Sequence, residues 1–211
     1  MPRRLLLFLA LLAIPALAAR PVQAASLSEI ERALRSTQTM VASFRQTAAD
    51  GSVATGTMTL KRPGRVRFDY GAKSPILVVA DGYRLSFIDY KVRQVSQWPL
   101  SETPLRVLLD PAADLAQVAR VLPEDQSPVP GAVAVEALDR KRPDLGRILF
   151  LLKPDGAAPG GQALIGWRVI DAQNNLTVVE LSDVRWNVSV ADSAFRFSDP
   201  RPRPGRPGTP S

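Results

Sequence analysis

The chain has 211 residues and a hydrophobic fraction of 45%, enough for one domain to bury a core of its own. It contains neither cysteine nor histidine, which excludes disulfides, thiol chemistry and any site built on an imidazole. The net charge of +7 comes from the two ends, because the first 24 and last 12 residues hold six basic residues and no acidic one. The nearly neutral body has no concentrated basic composition, so nucleic acid is not predicted as a partner.

The N-terminal segment has the pattern of a secretory signal peptide. Arg3 and Arg4 precede an apolar run over residues 5–19, and "VQA" at 22–24 offers a small residue at the last position and Val two before it. The run is short for a membrane span, and Pro15 interrupts it. We therefore expect cleavage after Ala24 and export of the mature protein.

These features divide the chain into three segments. Residues 1–24 are predicted to be the cleaved signal peptide and residues 25–199 a single domain. Residues 200–211 are rich in arginine and proline, a composition typical of a disordered tail.

The domain is predicted to open with one amphipathic helix over residues 26–44. Ser26 or Ser28 can cap its first turn, where acidic residues also suit the helix dipole. Ile30 and Leu34 keep the spacing of a helix with one buried face. Core packing is the simplest role for that face.

Six strands are predicted next, joined by connections so short that the strands must pair antiparallel. The Asp-Gly pairs at 50–51 and 81–82 are typical of hairpin turns. In the third strand Val66, Phe68 and Tyr70 fall on one face and charged residues on the other. The predicted strands span residues 43–49, 52–62, 65–70, 76–80, 83–90 and 92–97.

A helical insertion interrupts the strands. Thr103 is a cap, Pro104 suits a first helical position, Pro111 ends the first helix, and residues 112–122 form the second. The later strands are predicted at residues 131–139, 146–153, 164–171, 176–182, 184–190 and, in part, 193–200. About ten strands in succession favour a sheet that curls into a barrel or half-barrel, with helices against its open mouth or concave side.

No residue pattern in this sequence is typical of catalysis. There is no metal-ligand cluster and no phosphate-binding loop, so we predict no enzyme, no cofactor and no metal site. A half-open barrel with an aliphatic concave face can hold acyl chains. The same pattern also fits a core filled by its own side chains, and both interpretations remain open.

Five motifs follow one another along the chain, namely "MVASFRQT", "GTMTLKRPGRVRFDY", "SPILVVADGYRLSFIDYKVRQVSQWPL", "TPLRVLLDP" and "SAFRFSDP". In this order they resemble the periplasmic outer-membrane lipoprotein carrier (LolA-like) family over nearly all of residues 27–199. The resemblance implies a mainly β fold with helices, an unclosed antiparallel β-barrel of about ten to eleven strands with an α-helical lid over a hydrophobic cavity.

The resemblance also implies a function. A carrier of this kind is a monomer in the periplasm of a Gram-negative bacterium. It receives acylated lipoproteins from an inner-membrane ABC transporter, shields their acyl chains and delivers them to an outer-membrane acceptor. The absence of cysteine favours the carrier over the lipid-anchored acceptor of the same fold. Two alternatives remain open, a carrier of free lipid or glycolipid and a lipoprotein-sensing regulatory domain.

Individual residues acquire roles from the resemblance. It implies that Arg62, which precedes Pro63, is a latch that hydrogen-bonds the lid helices in the closed, empty state. An exposed arginine at a strand end is the alternative. The candidate residues lining the acyl-chain cavity, each of which also fits a plain core position, are Phe44, Leu60, Val66, Phe68, Leu77, Val79, Leu85 and Phe87.

Overall fold

The computed structural model describes residues 26–72, 74–103, 105–110, 115–138 and 146–202. The predicted signal peptide, the proline positions 104 and 111, and most of the predicted tail lie outside these ranges. The described helices are α1 (Leu27–Ser36), α2 (Arg106–Leu109) and α3 (Leu115–Val118). The described strands are β1 (Thr39–Thr47), β2 (Val53–Lys61), β3 (Arg65–Asp69), β4 (Ile76–Asp81), β5 (Arg84–Asp89), β6 (Gln94–Pro99), β7 (Ala119–Val121), β8 (Val133–Leu138), β9 (Arg147–Pro154), β10 (Gln162–Ile170) and β11 (Leu176–Trp186).

The eleven described strands form one antiparallel sheet. Their order is β6-β5-β4-β3-β2-β1-β11-β10-β9-β8-β7, which leaves β6 and β7 as its two edges. Successive strands are neighbours along both arms, and β1 pairs with β11 to join the arms. This confirms the predicted mainly β, unclosed antiparallel architecture.

The register of the strands gives the sheet one continuous apolar face, here called the concave face. Val66 in β3 lies opposite Leu60 in β2 and Ala80 in β4, and Phe68 lies opposite Val78. Residues directly opposite each other in an antiparallel pair share a face. The predicted alternation in β3 is therefore confirmed, with Val66 and Phe68 in the main hydrophobic core.

The three helices form a lid, defined here as α1, α2 and α3, whose apolar side chains join the same core. α1 begins with a capping box, in which Ser26 accepts from the backbone N–H of Glu29 and the Glu29 carboxylate accepts from the backbone N–H of Ser26. Its inner face buries Ile30, while α2 contributes Leu108 and α3 contributes Leu115. The apolar side of α1, predicted from its amphipathic pattern, thus faces the concave side of the sheet.

The predicted extent of the first helix is wrong. A helix was expected over residues 26–44, but α1 ends at Ser36 and Thr37 already has extended backbone angles. Beyond it β1 buries alternate residues, including Met40 and Phe44. That two-residue period and the β-branched residues favour a strand, and pairing with β2 and β11 outweighs the residual helical spacing.

Three later elements also differ from the prediction. Residues 176–182 and 184–190 were expected to form two strands, but β11 is one continuous strand. The second helix of the insertion was expected over residues 112–122, but α3 ends at Val118 because the chain from Ala119 pairs with β8 as an edge strand. Residues 193–200 were expected to include a strand, but Asp192–Phe195 form a 3₁₀ turn. Among the described residues, no helix is long and apolar enough to cross a bilayer.

The segment after β11 crosses the outer, convex face of the sheet. Its Asp192 carboxylate lies 2.5 Å from Lys61 Nζ and 2.8 Å from Arg65 Nη1. Arg65 also lies over the ring of Phe195, at 5.9 Å from the centroid. These contacts hold the segment over a second, smaller apolar cluster of Leu77, Val79, Ile88 and Phe195. The charged face of β3 therefore binds the protein's own C-terminal segment.

A latched lid over an apolar concave face

The floor of the concave face contains a cluster of aromatic rings that contact each other edge to face. Phe68 lies 5.7 Å from Phe44 and 5.8 Å from Trp167, and Phe44 lies 5.0 Å from Tyr70, between ring centroids. The Tyr70 hydroxyl donates a 3.0 Å hydrogen bond to Gln46 Oε1, and burial raises the pKa of that hydroxyl. The floor is thus apolar, with the one phenol of the cluster paired.

Arg62 follows β2 on the same face and connects the floor to the lid. Its side chain is buried, with the residue only 6% exposed. Nε and Nη2 donate to the Leu108 carbonyl at 3.1 and 2.7 Å, and Nη1 donates to the Thr37 carbonyl. These carbonyls lie at the C-terminal ends of α2 and α1, where backbone acceptors are free and a cation is favoured by the helix dipole.

Arg62 is buried, so its charge depends on these hydrogen bonds for stabilisation. Burial lowers the pKa of its guanidinium from its usual value to about 10, so the group is still charged at neutral pH. The contacts described for it are neutral carbonyls, which replace only part of the lost hydration. The charge is therefore held in the interior by acceptors that belong to the lid.

The backbone around Arg62 is joined to the lid as well. The Arg62 N–H donates to the Gln38 carbonyl at 2.8 Å, just after α1. The Gly64 N–H donates to the Leu109 carbonyl at 3.0 Å, at the end of α2. The turn between β2 and β3 thus contacts the ends of α1 and α2 through backbone and side chain.

Within the described part of the chain, little space is left under the lid. Two internal cavities are described, each of about 10 Å³, roughly the room for one water molecule. The sequence predicted a hydrophobic cavity, and in this conformation lid side chains such as Ile30 and Leu108 occupy it. An acyl chain can therefore enter only if the lid moves.

The structure separates the candidate lining residues into two groups. Six share the concave face, namely Phe44, Leu60, Val66, Phe68, Leu85 and Phe87. Phe87 differs from the others because it is 37% exposed near the open end of the sheet. Leu77 and Val79 lie opposite Asp69 and Arg67 on the convex face. They belong to the second cluster, so the prediction that they line the space under the lid is wrong.

Two features of the site escaped the sequence analysis. Gly160, at φ 74° in the turn before β10, approaches α1 so closely that an added Cβ would lie 2.6 Å from Ala33 Cα. Gln162, at the start of β10, faces the small cavity beside Arg62. The Pro-Gly-Gly sequence at 159–161 marks a turn but does not indicate its contact with α1.

Comparisons with known proteins match this chain to a family model and to relatives with a common name. The family model for the outer membrane lipoprotein carrier protein LolA matches residues 35–198. The outer-membrane lipoprotein carrier protein of Halorhodospira halophila is 28% identical, over 87% of this chain and 86% of its own length. That of Leptothrix cholodnii is also 28% identical, over 84% of each. The solved LolA superfamily protein NE2245 from Nitrosomonas europaea aligns at 14% identity with a TM-score of 0.43, covering 81% of this chain and 96% of its own.

Proposed function

The chain belongs to the LolA family of outer membrane lipoprotein carrier proteins, and we propose that it carries lipoproteins by holding their acyl chains between its concave face and its lid. The observation that carries this proposal is the pairing of buried Arg62 with the ends of α1 and α2 above an apolar floor. It supports a lid that closes over an empty protein and opens for cargo. This role is binding and release, without catalysis.

The free energies involved suit a carrier. An acyl chain gains about 0.8 kcal/mol for each CH₂ that leaves water, so about fifteen such groups gain on the order of 12 kcal/mol. Ile30, Leu108, Leu109 and Leu115 of the lid are each at most 3% exposed. Withdrawing them from the core costs about 2 kcal/mol apiece, or about 8 kcal/mol together. For one acyl chain the difference is about 4 kcal/mol in favour of binding, which permits both uptake and release.

Arg62 sets the direction of exchange in this mechanism. When cargo separates the lid from the sheet, the guanidinium loses the carbonyls of Thr37 and Leu108. When cargo leaves, those hydrogen bonds form again and the lid side chains refill the interior. The closed state therefore competes with cargo, which keeps the affinity moderate and favours delivery to an acceptor.

The location and the partners follow from the function. We place the mature carrier in the periplasm of a Gram-negative bacterium as a monomer without cofactor. It would receive cargo from an inner-membrane lipoprotein-releasing ABC transporter and pass it to an outer-membrane acceptor. The predicted signal peptide of residues 1–24 supports export.

Isolation of the natural cargo tests the proposal directly. The full chain is expressed in a Gram-negative host and purified from the periplasm without detergent. Mass spectrometry then identifies what co-purifies. Proteins acylated at an N-terminal cysteine are expected. Extractable lipid or glycolipid without acylated protein would favour a free-lipid carrier instead, and absence of any acylated molecule would contradict both.

A further inference from the structure

The small cavity beside α1 contains a buried acceptor that the closed protein does not use. Gln162 lies two residues before Leu164 in β10 and so shares the concave face. Within the described residues, its Oε1 atom is buried and has no hydrogen-bond partner. A buried polar atom without a partner is unfavourable, so its presence in the wall of the cavity needs an explanation.

The rest of the cavity wall makes this acceptor conspicuous. The polar side chains that line the cavity are Thr37, Arg62 and Gln162, and the other lining residues are apolar. The Thr37 hydroxyl donates to the Ala33 carbonyl at 3.0 Å, and Arg62 donates to the lid. An opened lid would therefore leave a cationic donor, Arg62, and a neutral acceptor, Gln162, on one apolar wall. Met40 and Trp186 lie between them.

We propose that Gln162 is a specificity-determining residue, whose Oε1 accepts a hydrogen bond from the amide N–H at the acylated cysteine of the cargo. This inference rests on the proposed carrier function. Gln162 then matches the polar linker of a lipopeptide whose chains occupy the apolar floor.

The pairing discriminates between classes of lipid. An acylated cysteinyl peptide offers an amide N–H beside its ester carbonyls, whereas a triacylglycerol offers ester carbonyls but no N–H or O–H donor. Only the lipopeptide therefore pairs with Gln162. A site that bonds a substrate N–H discriminates against an analogue that lacks it, because the buried acceptor is then left unpaired.

The experiment compares two synthetic probes, a tripalmitoylated cysteinyl peptide and tripalmitoylglycerol, in a fluorescence displacement assay. Gln162→Met keeps the side-chain shape but removes the acceptor, Gln162→Leu serves as a second variant, and Gln173→Leu changes an exposed glutamine as the matched control. We expect each Gln162 variant to bind the lipopeptide about tenfold more weakly and the triacylglycerol within twofold of the unmodified chain. The empty variants should unfold at the same or a higher temperature, because the unpaired acceptor is gone.

The possible outcomes distinguish failure of the role proposed for Gln162 from failure of the proposed carrier function. Equal weakening of both probes, or no weakening of the lipopeptide, would overturn the role of Gln162 while leaving the carrier function intact. Binding of neither probe by the unmodified chain would instead overturn the proposed function. A selective loss for the lipopeptide together with unchanged thermal stability is the result that a merely structural role does not produce.

Discussion

Replacement of Arg62 by leucine should turn a carrier that releases cargo into one that retains it. The substitution removes the three described hydrogen bonds from the guanidinium to the carbonyls of Thr37 and Leu108. It leaves those carbonyls at the lid unpaired and adds an aliphatic side chain to the wall that faces cargo. Each of these changes weakens the closed, empty state relative to the loaded one.

The size of the effect follows from two opposing contributions. Hydrogen bonds from a charged donor contribute about 1.5–3 kcal/mol each, so three contribute about 5–9 kcal/mol. Burial of the guanidinium, which lowers its pKa to about 10, costs about 3 kcal/mol. The closed state is thus favoured by at least about 2 kcal/mol, which corresponds to about 30-fold in the lid equilibrium.

The assay follows a fluorescent triacylated peptide from the loaded protein to acceptor vesicles. Arg62→Leu should bind the peptide at least about 30-fold more tightly and release it correspondingly more slowly. Arg62→Lys should fall between, because one ammonium cannot reproduce the fork of a guanidinium. Arg45→Leu, which removes an exposed arginine from β1, is the matched control. Release at the unmodified rate from a folded Arg62→Leu protein would refute the reasoning.

Three further predictions concern the lid, the C-terminal segment and the two faces of the sheet. Gly160→Ala forces a Cβ against Ala33 at a left-handed φ, so α1 should exchange its amide hydrogens at least fivefold faster; unchanged exchange would mean that α1 does not depend on this contact. Lysine and arginine partners lower the pKa of Asp192 below 3.8. The contribution of Asp192 to holding the C-terminal segment on the sheet is therefore full above that pH and lost as the pH falls through the lower folded-state pKa. Proteolysis of the C-terminal segment should increase in acid, and Asp192→Asn should abolish that dependence on pH. Phe68→Ala and Leu77→Ala should each destabilise folding by about 2–5 kcal/mol, but only Phe68→Ala should change lipopeptide affinity; equal changes in affinity would contradict the assignment of the faces.

The sequence predicts the sheet well where its pattern has a clear period. The alternation of Val66, Phe68 and Tyr70 with charged residues identifies the concave face of β3, and the Asp-Gly pairs at 50–51 and 81–82 lie between paired strands. Both signals are local, since they depend on side-chain alternation and turn chemistry within a few residues.

The positions that the sequence misplaces lack such a local signal. Strand β4 is aliphatic at nearly every position, so its composition does not reveal that Leu77 and Val79 face outward. Their face follows from pairing with β3, which already has a known orientation. The apolar outer residues need cover, and it comes from Phe195, more than a hundred residues later in the chain.

The filled interior could not be predicted from strand patterns either. The aliphatic concave residues are the same whether they face a vacant space or lid side chains. What decides between them is the position of Ile30, Leu108 and Leu115, which come from three separate helices. The hydrogen-bond partners of Arg62 could not be predicted either, because every residue type supplies the same backbone carbonyl.

Photochemical mapping of a bound acyl chain tests the account most directly. A triacylated cysteinyl peptide with a diazirine in one acyl chain is loaded onto the full-length protein, irradiated, and the cross-linked residues are identified by mass spectrometry. The account predicts cross-links to the concave face and the lid, at residues such as Phe68, Trp167 and Leu108. Cross-links confined to the convex cluster around Leu77 and Phe195, with the concave face unlabelled, would contradict it.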